Sequence, residues 1–384
     1  MTIEIPTDRV VHWLSQLVQI PSINPEGVDG SVDPDWLNED KVALFLSKAF
    51  TDLGGDVEIE MVKPERPNVY AKWKGESDRW SVIDVHTDTV GVAQMTDPPF
   101  DGRVEDGRVW GRGAVDTKAS LAILLALLER AQAEGLTFKH NLLIVATMSE
   151  EYGGYGAAAF NDWAQAQELD IAQLLVAEPT MCAPIFAHKG LFSMRLRIDG
   201  LAAHSSQPHL GKNAITAVAV VIQAIEQEHQ RLQAEEAKTA VGNGTIAVTL
   251  IEGGSGHNVI PDTCKIHINR RLAPFENPDD EIARVVQLAR DASPLPVEVE
   301  YARGFPAFYQ EPNSPWIKDV SSWTGMAPDI APYGTNALNY PEIGQEMMIF
   351  GPGSIEQAHR AVEWVTIDEL AKAADVYSRW LIAD

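Results

Sequence analysis

The sequence predicts an α/β protein with a mostly parallel central sheet and a smaller α+β domain inserted into the chain. Over the first half of the 384 residues, apolar runs with strand and helix periods alternate, which is typical of parallel sheets with helices on both faces. Near Lys189 the pattern changes to strands with alternating charge, and beyond about residue 303 Pro- and Gly-marked α/β sequence returns. We therefore expect one domain over residues 1–188 and 303–384, and an inserted domain over 189–302.

Three helices and four strands are predicted in the first part of the larger domain. Apolar residues recur at helical spacing in the helices, and the third helix is expected to begin at Asp116 and to end at Gly135, a residue that favours helix termination. In chain order the predicted helices are 8–19, 40–54 and 116–135, and the predicted strands are 68–75, 80–88, 140–148 and 173–179.

The inserted domain is predicted to have the element order β-α-β-β-α-β. Its first strand alternates apolar and charged residues, which indicates that one face is exposed. The order is that of the split βαβ, or ferredoxin-like, arrangement. The predicted strands are 191–200, 244–254, 263–273 and 296–303, and the predicted helices are 211–238 and 277–292.

The charge balance argues against two classes of partner. The 30 basic and 55 acidic residues give a net charge of −25, and such a field repels nucleic acid and anionic membranes. No apolar run approaches the roughly 18–20 residues of a membrane span, and the first residues lack the basic and apolar segments of a signal peptide. Two cysteines, Cys182 and Cys264, indicate a reducing compartment. We expect a cytoplasmic protein.

His86 and Asp88 stand at the end of a predicted strand, where side chains two residues apart point the same way. A histidine that binds metal usually donates its other ring N–H to a carboxylate or similar acceptor. The pattern is therefore typical of a metal-binding histidine that Asp88 orients. A surface histidine and aspartate would give the same pattern, and both interpretations stay open for this stretch alone.

Other acids occupy comparable boundaries, and one further histidine follows a turn. Asp116 lies at a helix start, where it could cap the helix or bridge two cations. Glu150 and Glu151 follow a buried strand at the end where open α/β sheets place their sites, and one could bind metal while the other carries a proton. Glu178 closes a second apolar strand, and His359 follows a Gly-Pro-Gly turn. Ordinary loop residues remain the alternative for each.

Together these residues favour a metal centre. Two imidazoles and three carboxylates suit two zinc-like ions that share a carboxylate at a separation of roughly 3.5–4 Å. The candidate ligands are His86, Asp116, Glu151, Glu178 and His359, with Asp88 and Glu150 as helpers.

Six motifs extend this pattern over nearly the whole chain. They are "HTDTV", "GRGAVDTK", "SEEYGGYGA", "AEPT…AHKG", "AAHSSQPHLGKNAI" and "HNVIPDTCKIHINRR". In this order they resemble the dinuclear zinc amidohydrolases, which include acetylornithine deacetylases, succinyl-diaminopimelate desuccinylases and carboxypeptidase G. The resemblance implies a zinc-exopeptidase-like catalytic domain with an inserted lid or dimerisation domain, and hence a homodimer.

The resemblance also implies a role for each candidate residue. Asp116 would bridge two divalent ions, expected to be zinc, which cobalt can replace. His86 and Glu178 would complete one ion's site, and Glu151 and His359 the other. Asp88 would orient His86, Glu150 would be the general base, and the Asp116–Thr117 peptide bond would be cis.

In the inserted domain and the loop after it, the resemblance implies residues that contact substrate. His204 matches a histidine that reaches a neighbouring active site in relatives and stabilises the oxyanion. Asn258 and Arg271 match residues that hold polar groups of the substrate, while Arg270 would point to the opposite face of its strand. Gly334 and Thr335 match a substrate loop.

The implied activity is hydrolysis of the amide bond of a small N-acyl amino acid, with the motifs most like those of acetylornithine deacetylases. Desuccinylases, aminoacylases, dipeptidases and carboxypeptidases share most of them, and a non-catalytic metal- or peptide-binding homologue is the other alternative. Three positions depart from the family pattern: Thr117 and Ala119 follow the bridging aspartate, and Asn336 replaces an aspartate. The last departure leaves the substrate open.

Overall fold

The chain forms two compact units in the computed structural model, which describes residues 3–28 and 32–383. The first unit contains both ends of the chain, and the second is inserted into it. The first unit comprises Met1–Phe186, Gln310–Asp329 and Thr335–Asp384, and the second comprises Ala187–Tyr309 and Ile330–Gly334.

Helices and strands alternate along most of the chain. The helices are α1 Thr7–Val18, α2 Asp40–Asp52, α3 Lys118–Glu134, α4 Tyr155–Ala166, α5 Ala214–Ala234, α6 Pro278–Ala292, α7 Pro315–Thr324 and α8 Ile367–Leu381. The strands are β1 Asp56–Lys63, β2 Arg66–Trp73, β3 Trp80–His86, β4 Val104–Glu105, β5 Arg108–Trp110, β6 Asn141–Thr147, β7 Ile171–Val176, β8 Ile185–His188, β9 Gly190–Asp199, β10 Ala203–His204, β11 Thr245–Gly253, β12 Val259–Ile260, β13 Thr263–Leu272, β14 Val297–Phe305, β15 Phe308–Tyr309, β16 Asp329–Ile330, β17 Glu346–Ile349 and β18 Trp364–Thr366.

The main sheet of the first unit has the strand order β1-β2-β6-β3-β7-β17-β8. Strand β3 is parallel to both β6 and β7, and β17 is parallel to β7. The outer strands β1 and β2 are antiparallel additions. The carboxyl ends of β3, β6, β7 and β17 therefore meet at one edge of the sheet, which confirms the predicted α/β class.

Helix α3 is buried over almost its whole surface, from Lys118 to Leu128. Helices α1 and α8 both pack against it. The ammonium group of Lys118 is fully buried and donates to the carbonyls of Leu17, at 3.1 Å, and Ile20, at 2.6 Å. These bonds connect the start of α3 to the carbonyls at and just beyond the end of α1.

The second unit is built on a four-stranded sheet with the order β11-β13-β9-β14, in which all neighbouring strands are antiparallel. Strand β9 alternates buried and half-buried residues along its whole length, so one face of the sheet lies in the core. Helices α5 and α6 contribute apolar residues to the same core. The order of strands and helices is the predicted β-α-β-β-α-β order, with the short β10 and β12 added.

Several boundaries differ from the prediction. Helix α5 is shorter than expected at both ends, and Asn213 caps it by accepting a hydrogen bond from the Thr216 amide. Helix α3 begins at Lys118, two residues after the predicted start. Strand β1 and helix α4 were not predicted. In the described residues, no helix combines the length and apolar character needed to cross a membrane.

Candidate metal centre

Four of the candidate side chains lie at one edge of the main sheet, at or just after the ends of parallel strands. His86 is the last residue of β3, Glu150 and Glu151 follow β6, and Glu178 follows β7. They meet because these strands are parallel and end at the same edge.

Two other segments complete the cluster. Asp116 lies two residues before α3, and His359 lies between β17 and β18. The turn of Gly351 and Gly353 that precedes His359 packs closely on the site: a Cβ at Gly351 would lie 2.5 Å from the Glu178 carbonyl, and one at Gly353 would lie 2.2 Å from Val115. Glycine at these positions therefore allows the close approach.

The cluster divides into two groups of possible metal donors, within each of which the donor atoms lie no more than 4.8 Å apart. One group comprises His86, Glu150 and Glu178, and the other comprises Asp116, Glu151 and His359. The structure thus brings together all five predicted ligands. It also places the predicted general base, Glu150, beside two of them.

Asp116 lies between the two histidines of the cluster. Its Oδ1 is 3.0 Å from Nε2 of His86, and its Oδ2 is 3.2 Å from Nε2 of His359. The alternative role of helix cap is wrong, because Thr117 occupies the N-cap position of α3 and no side chain caps that end. The Asp116–Thr117 peptide bond is cis, as the resemblance implied. The two oxygens of one carboxylate therefore face different imidazoles.

Asp88 contacts His86 mainly through its backbone. Nδ1 of His86 lies 2.9 Å from the Asp88 carbonyl oxygen and 3.6 Å from carboxylate Oδ1. The carboxylate accepts hydrogen bonds from the Glu150 amide at 2.9 Å, the Glu151 amide at 3.1 Å and Nδ2 of Asn24 at 2.8 Å. Asp88 thus positions the loop with both glutamates as well as the histidine.

The carboxylates of the cluster are strongly perturbed. Burial and then neighbouring acids raise the pKa of Glu150 and of Glu178 well above the ordinary value. Burial and the charge of Asp116 raise the pKa of Glu151 to about 7. Hydrogen bonds to Asp116 and Glu151 raise the pKa of His359 to about 10. This cluster of acids and imidazoles suits divalent cations, because the positive charge of the cations would offset the repulsion between the carboxylates.

Several supporting residues carried no recognisable signal in the sequence. Asn24 stands in a loop with no motif around it, and Glu39 precedes a helix like many surface acids. Glu363 lies between His359 and a short strand. All three supporting side chains are almost fully buried, and only the tertiary structure shows what they contact.

The predicted substrate contacts lie mainly in the second unit. His204, Asn258 and Arg271 have exposed side chains there, and Gly334 ends the unit. Arg270 is fully buried and pairs with acids, so the two arginines do face opposite sides of β13.

Thr335 belongs to the first unit and is almost fully buried. Its Oγ1 accepts a hydrogen bond from the Ala337 amide at 3.1 Å. The side chain therefore caps the short turn that follows it.

Comparison with known proteins identifies the class of the protein. Residues 82–383 match the sequence profile described as Peptidase family M20/M25/M40. The match covers most of the chain, so the chain belongs to this family. The protein is a metal-dependent hydrolase of amide bonds that uses divalent metal ions.

Two relatives named acetylornithine deacetylase align with nearly the whole chain. The protein of Klebsiella pneumoniae (strain 342) is 31% identical over 362 residues, which are 91% of this chain and 91% of the relative. The protein of Vibrio campbellii is 28% identical over 361 residues, which are 92% of this chain and 94% of the relative.

Solved structures share the fold at lower identity. Aminopeptidase PepT from Bacillus cereus has a TM-score of 0.75 at 20% identity, with 97% of both chains covered. An M20 family metallo-carboxypeptidase from Sulfolobus solfataricus has a TM-score of 0.72 at 18% identity, with 97% of this chain and 98% of that chain covered. At these identities the similarity supports the fold alone.

Proposed function

We propose that the protein removes the acyl group from a small N-acyl amino acid, with N-acetylornithine as the first candidate substrate. The observation that carries this proposal is the presence of two adjacent donor groups in a chain whose relatives, at 28–31% identity over about nine tenths of its length, are named acetylornithine deacetylase. Related desuccinylase, aminoacylase, dipeptidase and carboxypeptidase activities remain the alternatives.

We further propose that the centre holds two zinc ions, which cobalt can replace. Asp116, His86 and Glu178 would hold one ion, and Asp116, Glu151 and His359 the other. The positions of the two Asp116 oxygens, each within 3.2 Å of a different imidazole, support a shared carboxylate. When bound, the ions would supply Lewis acidity that activates water and polarises the substrate carbonyl.

Glu150 is proposed to transfer the proton. Its amide is fixed by Asp88 at 2.9 Å, and burial raises its pKa well above the ordinary value. A positioned carboxyl group of this kind can act as a general acid–base catalyst. Glu150 would take a proton from the attacking water and deliver it to the nitrogen of the leaving amine.

His204 is proposed to donate a hydrogen bond to the oxyanion. Its Nδ1 accepts from the Ser206 amide at 3.2 Å, so the neutral ring carries its proton on Nε2. That N–H is available for a developing negative charge, and removing one such donor commonly costs about 2.7–4 kcal/mol of transition-state stabilisation.

Arg271 is proposed to bind the carboxylate of the amino acid. It lines a cavity of about 470 Å³ in the second unit, together with Lys189, Val241 and the segment 330–332. An arginine can hold a carboxylate through two parallel hydrogen bonds. We propose that Asn258, Gly334 and Thr335 contribute to substrate binding as well.

We propose that the protein is a cytoplasmic homodimer that pairs through the second unit. Strand β11 is an edge strand of its sheet, and its Leu250 and Ile251 are more than half exposed. Exposed apolar side chains on an unpaired sheet edge are typical of protein interfaces. Cys182 and Cys264, both free and buried, support a reducing compartment.

The proposed function is tested with a panel of N-acetyl, N-succinyl and dipeptide substrates in the presence of zinc or cobalt, with release of the amine as the readout. N-acetylornithine is expected to have the highest kcat/KM. A preference for succinyl compounds or dipeptides would select an alternative, and binding of metal without turnover of any compound would favour a non-catalytic homologue.

A further inference from the structure

Two buried glutamates outside the donor groups contact the backbone of the segments that carry the proposed ligands. Glu39 and Glu363 are 0% and 1% exposed, and each forms an ion pair with a buried arginine. Neither carboxylate belongs to a donor group. Glu39 occupies the N-cap position of α2, yet its side chain makes no capping hydrogen bond, so its partners lie elsewhere.

Glu363 connects two of the three segments that carry the donor group of Asp116, Glu151 and His359. Its Oε2 lies 2.5 Å from Nη1 of Arg112, and its Oε1 accepts from the amides of Val115, at 3.0 Å, and Asp116, at 3.3 Å. Arg112 in turn donates through Nη2, at 3.3 Å, to the carbonyl of the residue after His359. One ion pair therefore contacts the backbone at or beside two proposed ligands.

Glu39 contacts the loop that follows β6. Arg66 holds its carboxylate with two hydrogen bonds, of 2.8 Å from Nε and 2.7 Å from Nη2. Oε1 of Glu39 also accepts from the Ser149 amide at 3.2 Å. Ser149 has a positive φ of 65°, a conformation that a non-glycine residue adopts only when its surroundings stabilise it. The next two residues are Glu150 and Glu151.

The amides of residues 148 to 151 all donate to buried side chains. Met148 donates to Oδ1 of Asn68 at 3.0 Å, Ser149 donates to Glu39, and the next two amides donate to Asp88. The loop amides thus donate to side chains from three separate segments of the chain: strand β2, the residue before α2 and the segment after β3. Its conformation depends on these acceptors.

A carboxylate paired with an arginine is well suited to accept hydrogen bonds from these backbone amides, for two physical reasons. Hydrogen bonds to a charged acceptor are roughly twice as strong as bonds between neutral groups. A further unpaired carboxylate beside this acidic cluster would also be strongly unfavourable, whereas the arginine cancels its charge. Each Glu–Arg pair therefore supplies a strong acceptor without adding net negative charge.

We propose that Glu39 and Glu363 are positioning residues of the metal centre, and that each acts through an Arg-held carboxylate that fixes the backbone of a ligand-bearing segment. Glu39 sets the loop with Glu150 and Glu151, and Glu363 sets Asp116 and the segment beside His359. This inference rests on the proposed metal centre.

The first test compares three double variants in which an ion pair becomes apolar. They are Glu39→Leu with Arg66→Met, Glu363→Leu with Arg112→Met and, as the control, Arg9→Met with Glu129→Leu. The control pair also has two hydrogen bonds, of 2.9 and 2.7 Å, and joins α1 to α3 away from the donor groups. Zinc affinity of the folded, metal-free proteins is measured by competition with a coloured chelator.

The two test variants are expected to bind zinc roughly 10- to 100-fold more weakly than the parent chain, which is the usual effect of removing a group that orients metal ligands. The control should bind zinc as the parent does. If either double variant fails to fold, the single variants Glu39→Gln and Glu363→Gln replace it, with the same direction of change expected.

The second test measures amide hydrogen exchange in the metal-free proteins by mass spectrometry. The Glu39 variant should exchange faster in peptides that cover residues 147–152, and the Glu363 variant in peptides that cover 113–118. A purely stabilising role would instead speed exchange throughout the first unit and leave zinc affinity unchanged.

The outcomes separate the two proposals. A parent chain that binds no zinc would end the proposal of a metal centre and this inference with it. A parent that binds two ions, with zinc affinity in the test variants within twofold of the control, would overturn the positioning role alone.

Discussion

Glu150 and Glu151 are adjacent in the chain, but their carboxylates belong to different donor groups. Oε2 of Glu151 lies 3.0 Å from Nε2 of His359, whereas Glu150 is grouped with His86 and Glu178. Both amides donate to the single carboxylate of Asp88. One short loop can therefore present two acids to two sides of the same centre.

Replacing Glu150 with alanine tests whether it transfers protons or binds metal. If it is the general base, Glu150→Ala should keep two equivalents of zinc and lose about 10²–10⁴-fold in kcat. Zinc content is measured by atomic emission together with turnover of the best substrate. A loss of one zinc equivalent in the variant would show that Glu150 is a ligand instead.

His188 should make the stability of the protein sensitive to acid. Burial lowers its pKa to about 4, below the ordinary value of about 6.5. Between these two values the unfolded chain binds a proton at this residue that the folded protein does not. The contribution of neutral His188 to stability is therefore present above pH 6.5 and is lost as the pH falls toward 4.

The expected difference is measured by urea unfolding at pH 7.5 and pH 5.5. His188→Gln should lose less free energy of unfolding over this interval than the parent, by about 1 kcal/mol. The exposed His209, replaced in the same way, serves as the control and should behave as the parent does. Equal losses in His188→Gln and the parent would contradict the prediction.

At the scale of elements, a buried network ties the turn after Thr335 to the strand with His86. Tyr340 donates to Oδ2 of Asp84 at 2.7 Å, and Thr147 donates to Oδ1 at 2.6 Å. Asn336 donates to Oγ1 of Thr147 at 3.1 Å. Asn336, one of the three residues that depart from the family pattern, thus has a structural partner. The network links strands β3 and β6 to the loop.

Removing the hydroxyl of Tyr340 should destabilise the protein clearly. Tyr340→Phe leaves the buried carboxylate of Asp84 with one donor fewer, at a cost of about 1–3 kcal/mol. Tyr377→Phe is the matched control, because the Tyr377 hydroxyl is also buried but bonds the neutral hydroxyl of Ser120. Urea unfolding should show a smaller loss of the free energy of unfolding in Tyr377→Phe than in Tyr340→Phe. Equal losses would indicate that Asp84 is protonated.

At the scale of the whole molecule, the chain combines a unit with the donor groups and a unit with most of the proposed substrate contacts. The second unit has its own apolar core, formed by one face of its sheet and by α5 and α6. Its opposite sheet face carries ion pairs, for example between Lys265 and Glu300. The second unit can therefore stay folded while its edge strand β11 remains exposed.

The proposed dimer predicts that a charge on the edge strand will separate the subunits. Leu250→Glu should convert a dimer to a monomer in sedimentation velocity, because a charged side chain would be buried in the interface. Leu44→Glu changes an exposed leucine of α2 in the first unit and should leave the dimer intact. A monomeric parent, or a dimeric Leu250→Glu, would contradict the proposal.

The sequence alone was sufficient to predict most of the larger helices and strands before about residue 303, and the residue types at the strand ends. Strand β1, helix α4 and the individual elements beyond about residue 303 were not predicted. Apolar period and local turn chemistry are properties of short segments, so β3, β6 and α3 could be located to within a few residues. The order β-α-β-β-α-β of the inserted part followed from the same local patterns. Four of the five candidate ligands were recognisable because they stand near strand ends or a helix start, whereas His359 was recognised from the Gly-Pro-Gly turn before it.

Only the tertiary structure decided which of these boundaries meet and what holds them in place. Glu39 and Ser149 are 110 residues apart in the chain, and Asp116 and Glu363 are 247 apart. Packing selects such partners, because the local sequence around Glu39 or Glu363 is the same whether the carboxylate faces solvent or a buried amide. Periodicity therefore determined the elements, whereas long-range burial and hydrogen bonding determined the surroundings of the site.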